Sequence, residues 1–338
     1  MSLFVGRQGS REIPLKTAVF LGFCPSMKSH LLDESARGVF IIVATPFADD
    51  GGLDLDSLTR LIDFYIGAGA HGLTILGLMG EAQKLTYEES CLVVEHTLRQ
   101  AGGALPVVVG VSNPGLANVA LLTSVAMSAG AAGVMIAPPA GLATDEQIQG
   151  YLHQVCDTIG AEVPVVLQDY PQATGVHLSV SLFNRLVDEL PQIKVLKHED
   201  CPGLGKLTRI RATAERDGRR RVAILVGNGA LYYPLELARG ADGAMSGFAF
   251  PEVLVKVYER FAAGRIEDAF ALFDAYLPLI RYEQQPGIGL AIRKEILHRR
   301  GVLASPMVRP PGARLDATDR AELECLLTRV KRRVQDGI

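Results

Sequence analysis

Residues 222–245 read VAILVGNGALYYPLELARGADGAM, in which two apolar runs flank a glycine-containing turn and a helical pattern. Short, nearly continuous apolar runs are typical of parallel strands that are covered on both faces. Between them, residues 231–238 repeat their apolar side chains at helical spacing. This stretch therefore predicts a strand, a helix and a second parallel strand.

The same alternation extends from this stretch through most of the chain, with a new strand about every 20 to 35 residues. Eight such units favour a closed (β/α)8 barrel, the TIM-barrel fold, because doubly wound sheets more often have five or six strands. The predicted strands are residues 39–43, 72–76, 107–111, 133–137, 163–167, 193–196, 222–226 and 243–245.

Helical patterns follow the strands, and two of them carry a clear start signal. Thr86 stands three residues before Glu89, and Thr144 stands three residues before Gln147. Both pairs predict a capping box at a helix N-terminus. The predicted helices are residues 56–68, 87–99, 116–129, 145–159, 181–189, 204–214, 231–238, 252–262, 267–279, 290–299 and 319–333.

We expect three parts along the chain. Residues 37–264 form the (β/α)8 barrel, and residues 265–338 form a helical region packed on it. Residues 1–36 are interpreted as an N-terminal extension, or as the result of a start codon assigned too early. The apolar stretch 17–24 within it is short for a signal peptide, and no small-x-small cleavage site follows.

Composition excludes several classes of protein. With 48% hydrophobic and 21% charged residues and a net charge of −3, the chain is neither disordered nor a nucleic-acid binder. The five cysteines are far apart, which indicates neither a zinc site nor a disulfide framework and favours a cytoplasmic location. No apolar run reaches the roughly 20 residues of a membrane helix. Nucleotide-binding motifs are absent, and we expect no cofactor.

In a barrel of this kind, the C-terminal ends of the strands form the active site. The second predicted strand is followed by Gly77-Leu78-Met79-Gly80-Glu81. Glycines on both sides allow a tight turn in which backbone amides point at an anion such as a carboxylate. Gly77, Leu78 and Met79 are therefore candidate substrate-binding residues, with a plain βα turn as the alternative.

The fifth predicted strand continues into Gln168, Asp169 and Tyr170. Polar and phenolic side chains at the end of an apolar strand are typical of a barrel mouth. Gln168 and Asp169 are candidate substrate-binding residues, and alternation places Gln168 and Tyr170 on one face. The alternative is that Tyr170 packs under a loop.

The sixth predicted strand places Ile193, Val195 and Lys197 on one face by alternation. If that face is the lumen, Lys197 projects into the pocket at its open end. An amine in a partly desolvated pocket holds its proton less firmly and becomes a nucleophile toward a ketone. An ordinary surface charge is the alternative for any lysine.

The seventh and eighth strands are followed by small, polar residues. Gly227, Asn228 and Ser246 suit the close approach of a ligand and are candidate substrate-binding residues. An unrelated barrel that binds phosphate at these two strands is the alternative. We expect no metal site, because the consecutive residues 198–200 cannot all face one ion.

Over residues 37–300 the chain resembles the dihydrodipicolinate synthase / N-acetylneuraminate lyase family of Schiff-base barrels. The resemblance implies that Lys197 forms the imine, that the turn 77–81 binds the carboxylate of a keto acid, and that the protein is a homodimer or homotetramer. The landmarks, in the order of the family, are Ala44-Thr45-Pro46-Phe47, Asp50-Gly51, the turn 77–81, residues 85–89, residues 106–110, Pro138-Pro139, Pro171, Thr174-Gly175, Lys197 and residues 243–246.

The chain departs from the pattern of the family at four positions and also lacks the double-tyrosine stretch that the family has after the fourth strand. Leu78 and Met79 stand where the family has two hydroxyl residues, so only backbone amides could hold the carboxylate. Gln168 stands where the family has a proton-shuttling tyrosine, and Ala173 where dihydrodipicolinate synthases have an arginine. The Gln-Asp-x-Pro run that begins at Gln168 is similar to that of the 2-keto-3-deoxy-L-arabonate dehydratase branch.

The predicted protein is a lyase that forms a Schiff base with a 2-keto acid, either a 2-keto-3-deoxy sugar acid dehydratase or an aldolase. Lys197 is the predicted nucleophile, and Tyr170 or Glu199 is the predicted acid/base. The alternatives are a dihydrodipicolinate synthase or another pyruvate-dependent aldolase, and a non-catalytic relative that only binds a small acid.

Overall fold

The computed structural model describes residues 31–335. Within them, eight parallel strands are each paired with the next, and the eighth pairs with the first to close the barrel. The predicted (β/α)8 barrel is therefore confirmed. The strands are β1 (Gly38–Ile42), β2 (Gly72–Ile75), β3 (Val107–Gly110), β4 (Gly133–Ile136), β5 (Val165–Asp169), β6 (Ile193–His198), β7 (Ala223–Val226) and β8 (Gly243–Ser246).

Helices surround the barrel and continue beyond its last strand. No helix among residues 31–335 has both the length and the apolar character that crossing a bilayer requires. The helices are α1 (Leu55–Gly67), α2 (Tyr87–Ala101), α3 (Leu116–Ser128), α4 (Asp145–Ile159), α5 (Pro171–Thr174), α6 (Val180–Glu189), α7 (Leu204–Arg216), α8 (Tyr233–Ala238), α9 (Pro251–Ala262), α10 (Ile266–Glu283), α11 (Gly289–Arg299) and α12 (Ala317–Gln335).

Both predicted capping boxes are present. The Thr86 hydroxyl accepts a hydrogen bond from the backbone N–H of Glu89, whose carboxylate accepts one from the N–H of Thr86. Thr144 and Gln147 make the same exchange at the start of α4. Each box satisfies two N–H groups that the first turn of a helix leaves without partners.

Two elements differ from their predicted bounds for reasons that matter at the active site. β5 begins two residues later than predicted and extends through Asp169, because Gln168 and Asp169 pair with Lys197 and His198 of β6. α8 begins at Tyr233 instead of residue 231, because Tyr232 has a non-helical backbone (φ −120°, ψ 22°). The turn before it is left-handed, with positive φ at each of residues 228–230.

The strands bury both of their faces, which explains why each reads as a continuous apolar run. Outward-facing side chains form one large core with the helices. Inward-facing side chains fill the lumen with a second, smaller cluster of Phe40, Ile42, Val108, Met135, Val166, Val195, Ala223, Leu225 and Met245.

A β-bulge in β6 changes one predicted alternation. Val165 pairs with Ile193, but Val166 pairs with Val195, so Lys194 has no partner in this ladder. Ile193 consequently packs in the outer core while Val195 faces the lumen. The prediction that Ile193 shares a face with Val195 and Lys197 is wrong, and the alternation holds only from Val195 onward.

The C-terminal helices pack on the outside of the barrel, where α10 contacts α9, α11 and α12. The predicted division into a barrel over residues 37–264 and a helical region over residues 265–338 remains a proposal. The predicted extension, residues 1–36, lies outside the described residues as far as residue 30. Within the described part of this segment, the N–H of Leu32 donates to Ala132 O.

Candidate active site

Lys197 lies on the luminal face of β6, close to its C-terminal end. Its ladder partners are Gln168 on β5 and Leu225 on β7, and Leu225 belongs to the luminal cluster. The residue is only 5% exposed. Lys197 is therefore a buried amine inside the barrel and not a surface charge, although it is not among the residues that line the cavity at the barrel mouth.

The Glu199 carboxylate is the immediate partner of this amine. Its Oε2 lies 3.1 Å from Lys197 Nζ and accepts a hydrogen bond of 2.6 Å from the Gln168 side-chain amide. All three side chains are buried. We refer to Lys197, Glu199 and Gln168 as the lysine–carboxylate cluster.

The cluster can perform proton transfer as well as nucleophilic attack. An ammonium must lose a proton before it can attack a carbonyl, and the carboxylate is close enough to receive that proton. A buried carboxylate requires compensating partners, which here are Lys197 and the Gln168 amide. The arrangement is a nucleophile and its base, oriented by a third group.

The turn after β7 holds Glu199 in place. The Asn228 side-chain amide donates to Glu199 O at 2.7 Å, and the Glu199 N–H donates to Asp169 O at 2.9 Å. Gly227 lies directly against the carboxylate, where a Cβ would overlap it. Asn228 thus binds the backbone of the protein, although the prediction placed it on the substrate.

Substitution of Gly227 by alanine tests this contact. Because the added methyl group would occupy the space of the Glu199 carboxylate, we expect Gly227→Ala to lower kcat at least tenfold by displacing that group. Gly67→Ala serves as the control, because Gly67 lies in α1, has no left-handed φ, as Gly227 has none, and a Cβ there meets no atom within 4 Å. Equal losses in both variants would contradict the account.

A cavity of about 820 Å³ opens at the mouth of the barrel beside the cluster. Gln168 and Tyr170 line it on the β5 side, and Gly77 and Leu78 line it on the β2 side. In the part of the chain that the structure describes, its walls contain no lysine, arginine or histidine. The polar wall residues are Gln83, Tyr87, Ser90, Ser112, Asn113, Asn118, Gln168, Tyr170 and Thr174.

Tyr170 is partly buried at the wall of this cavity. Burial, and then the negative charge of Glu199, raises the pKa of its hydroxyl above the ordinary value of 10. The phenol therefore keeps its proton at neutral pH and can donate it. This is consistent with the predicted role in acid/base chemistry.

The turn after β2 presents backbone amides, as predicted. Residues Leu78–Gly80 form a single 3-10 turn, with the left-handed residues Leu76 and Glu81 (φ 54° at each) on either side. Among residues 31–335, the N–H groups of Leu78 and Met79 have no acceptor. Two free amides on one tight turn are suited to a carboxylate.

The two side chains of this turn differ in their surroundings. Leu78 is 44% exposed and lines the cavity, whereas Met79 packs against the luminal cluster. Neither side chain can donate a hydrogen bond, so recognition of an anion here rests on the backbone.

The structure does not bring the side chains of Asp169 and Ser246 to the cavity. Asp169 faces outward from β5, where its Oδ2 accepts a 2.6 Å hydrogen bond from Lys206. Ser246 pairs with Ile41, an outer-core residue, and its buried hydroxyl has no partner among the described residues. The predicted substrate contacts of both side chains therefore have no support in the geometry.

Sequence reasoning missed the contribution of β3. Ser112 and Asn113 follow its C-terminal end and line the cavity. The Ser112 hydroxyl accepts from the Ala137 N–H, and Asn113 Oδ1 accepts from the Gly115 N–H, both at 2.8 Å. Polar residues directly after an apolar strand indicated the sites on β5 and β6. The same pattern is present at Ser112 and Asn113.

Comparison with known proteins identifies the family. A model of the dihydrodipicolinate synthetase family matches residues 35–330. The chain belongs to this family.

Individual relatives of the family cover most of the chain. It is 34% identical over 305 residues to L-2-keto-3-deoxyarabonate dehydratase of Azospirillum brasilense, covering 87% of this chain and 94% of that protein. It is 31% identical over 248 residues to 4-hydroxy-tetrahydrodipicolinate synthase of Thiobacillus denitrificans, covering 72% and 81%. The crystal structure of dihydrodipicolinate synthase from Rhodopseudomonas palustris has 46% identity and a TM-score of 0.87, and it covers 89% and 100%.

The predicted resemblance is thereby confirmed. Enzymes of the dihydrodipicolinate synthetase family are class I, aldolase-type lyases that form a Schiff base through a lysine, and this chain is an enzyme of that class. Its substrates are small keto acids.

Proposed function

We propose that Lys197 is the Schiff-base lysine and that the substrate is a 2-keto-3-deoxy sugar acid, which the enzyme dehydrates or cleaves as an aldolase. The observation that carries this proposal is the pairing of a buried luminal amine with the Glu199 carboxylate at 3.1 Å. The two free backbone amides of the turn after β2 can bind the substrate carboxylate.

The reaction begins with attack of the neutral Lys197 amine on C2 of the keto acid. The resulting carbinolamine loses water, and a protonated imine replaces the carbonyl. This imine is an electron sink, so a base can remove a proton from C3 and leave a C2=C3 enamine. Glu199 or Tyr170 serves as the group that moves these protons.

Two outcomes follow from these intermediates. In a dehydratase, the enamine expels the C4 hydroxyl as water after an acid protonates it, and hydrolysis of the imine then releases the product and frees Lys197. In an aldolase, the C3–C4 bond of the imine breaks instead, the proton of the C4 hydroxyl goes to the base, and an aldehyde leaves.

The walls of the cavity favour a substrate whose chain carries hydroxyl groups over a substrate with a second carboxylate. Amides and hydroxyls line them, and among the described residues no cationic side chain does. Ala173 occupies a wall position where a basic residue could have neutralised another carboxylate. The dehydratase relative, 34% identical over most of both chains, points in the same direction.

A synthase that uses pyruvate is the second candidate. It is favoured by the 46% identity to the dihydrodipicolinate synthase from Rhodopseudomonas palustris. Turnover of 2-keto-3-deoxy-L-arabonate, and separately of pyruvate with an aldehyde acceptor, distinguishes the two. We expect the sugar acid to be consumed with a kcat/KM at least a hundredfold higher; the reverse preference would contradict the first candidate.

Tyr170→Phe tests the proposed proton donor. We expect kcat to fall about tenfold, the value of one hydrogen bond to a charged group, with little change in stability. Because the pKa of the hydroxyl is raised, kcat of the wild-type enzyme should show no loss from Tyr170 ionisation below pH 10. Tyr282→Phe is the control, because the Tyr282 hydroxyl on α10 bonds Asp319 O and Glu322, away from the cavity. An unchanged kcat for Tyr170→Phe would exclude Tyr170 as the donor.

We propose further that the protein is a cytoplasmic homodimer or homotetramer. Large apolar side chains are exposed on α2 and α3, including Tyr87, Leu92 and Leu121. The cysteines in residues 31–335 are all free thiols, as in a reducing compartment. Light scattering coupled to size exclusion measures the assembly, and a monomer at micromolar concentration would contradict it.

A further inference from the structure

The turn proposed to hold the substrate carboxylate ends on a buried acid. Glu81 has a left-handed backbone (φ 54°) and is only 1% exposed. Its Oε1 accepts from Lys294 Nζ at 2.5 Å. Its Oε2 accepts from Lys84 Nζ at 2.8 Å and from the Arg309 N–H at 3.1 Å. The position of the turn therefore depends on groups beneath it.

Lys294 comes from α11, 213 residues away in the chain. Besides Glu81, its ammonium donates to Thr45 O at 2.7 Å and to Met307 O at 2.8 Å. All three N–H bonds of the ammonium thus have acceptors, and Nζ also lies 4.6 Å from the centroid of the Phe47 ring. A buried cation with every donor occupied fixes the relative positions of its acceptors.

A second connection runs from Lys294 to the same turn. The backbone carbonyl of Thr45 accepts from Lys294, while the Thr45 hydroxyl donates to Gly80 O at 2.6 Å. The turn is consequently held at Gly80 and at Glu81 by groups that converge on one ammonium. The two free amides, on Leu78 and Met79, precede these two anchored residues directly.

We propose that Lys294 is a positioning residue for the carboxylate-binding turn and sets the affinity for the carboxylate of the keto acid without touching the substrate. This inference rests on the proposed function, in which that turn holds the substrate. It assigns a specific role to the C-terminal helical region, since α11 supplies the only cation bonded to both Glu81 and Thr45 among residues 31–335.

Burial lowers the pKa of Lys294 to about 8, opposed by the charge of Glu81. The ammonium is therefore held in a site that penalises its charge, which makes the pair sensitive to replacement of either partner.

The test is Lys294→Met, with Arg293→Met as the matched control. Arg293 is a neighbouring, equally buried cation on α11, but it pairs with Glu283 and Gly247 and contacts no residue of the turn. We measure the pyruvate concentration that gives half-maximal borohydride trapping, together with the thermal midpoint. We expect this concentration to rise about ten- to a hundredfold in Lys294→Met, the effect of weakening one hydrogen bond to a charged group. In Arg293→Met it should change less than threefold even though the thermal midpoint falls.

Comparison with pyruvamide distinguishes positioning of the carboxylate-binding turn from a general structural effect of the substitution. It carries the same ketone without the carboxylate, so its half-maximal concentration should be equal in the wild type and Lys294→Met. Equal weakening for pyruvate and pyruvamide, or an unchanged value for pyruvate, would overturn the inference while leaving the proposed function intact.

Two further outcomes have a different meaning from those above. If Lys294→Met does not fold, Thr45→Val removes the hydroxyl bond to Gly80 without stranding a buried charge, and the same selective loss for pyruvate is expected. If the wild-type protein forms no adduct with any keto acid, the proposed function fails, and the inference fails with it.

Discussion

Lys197→Ala is expected to lower kcat by about 10⁴-fold or more, the scale on which removal of a covalent nucleophile acts in other enzymes. No other amine contacts the Glu199 carboxylate among the described residues, so no second lysine can take over the reaction. Turnover is followed with the 2-keto acid that the wild-type enzyme prefers, at saturating concentration.

Two further variants separate chemistry from structure in this experiment. Alanine leaves Glu199 without its cation, which destabilises a buried carboxylate. Lys197→Arg keeps a positive charge there but cannot supply a neutral amine, so it should be equally inactive with a smaller loss of stability. Lys194→Ala alters the same strand where the lysine pairs with Glu34 instead, and it should retain wild-type kcat. Residual activity of 10% or more in Lys197→Arg would contradict the assignment.

Glu199→Gln is expected to lower kcat by about 10²- to 10⁴-fold, the contribution of a positioned acid/base. Glutamine has nearly the same shape, so the hydrogen bond with the Gln168 amide can persist, but the group can no longer accept a proton. The variant should still accumulate a trappable imine slowly, because Lys197 remains. Single-turnover kinetics with borohydride quenching separates imine formation from the later proton transfers.

Glu236→Gln is the control for that loss. Glu236 is another buried glutamate, outside the lumen on α8, and burial raises the pKa of its carboxyl to about 7. Its neutral form is therefore well populated near pH 7, and an amide should substitute with little effect on kcat. Comparable losses in Glu199→Gln and Glu236→Gln would show that a buried carboxylate matters here only for folding.

The fold was predictable because each strand carries its own local signal. The apolar runs, the two capping boxes and the count of eight units are properties of short segments, and the closed barrel follows from the count. The β-bulge at Lys194 was not predictable in the same way. It depends on the register against β5, and nothing in the residues around Lys194 marks it.

The candidate site was predictable only where it follows from strand direction. Lys197 and Gln168 face the lumen because they alternate with outward-facing neighbours at the ends of β5 and β6. The same alternation, applied consistently, would have turned Asp169 away from the cavity. The position of the Glu199 side chain could not be predicted, because it lies beyond the end of β6 and depends on the turn at Gly227.

Contacts between distant parts of the chain were equally out of reach. Glu81 and Lys294 meet only because α11 packs beneath the turn after β2, and no local pattern indicates which acid a buried lysine will find. The geometry gives the predicted substrate contact of Asn228 no support for a related reason, since a small polar residue after a strand can bind the protein as readily as a ligand.

Borohydride trapping followed by mass spectrometry tests the central claim most directly. The wild-type protein is treated with pyruvate, and with a series of longer 2-keto acids, then reduced and digested. We predict one covalent adduct per chain, on the peptide that contains Lys197, and no adduct in Lys197→Ala. An adduct on a different lysine, or one that persists in Lys197→Ala, would contradict the account.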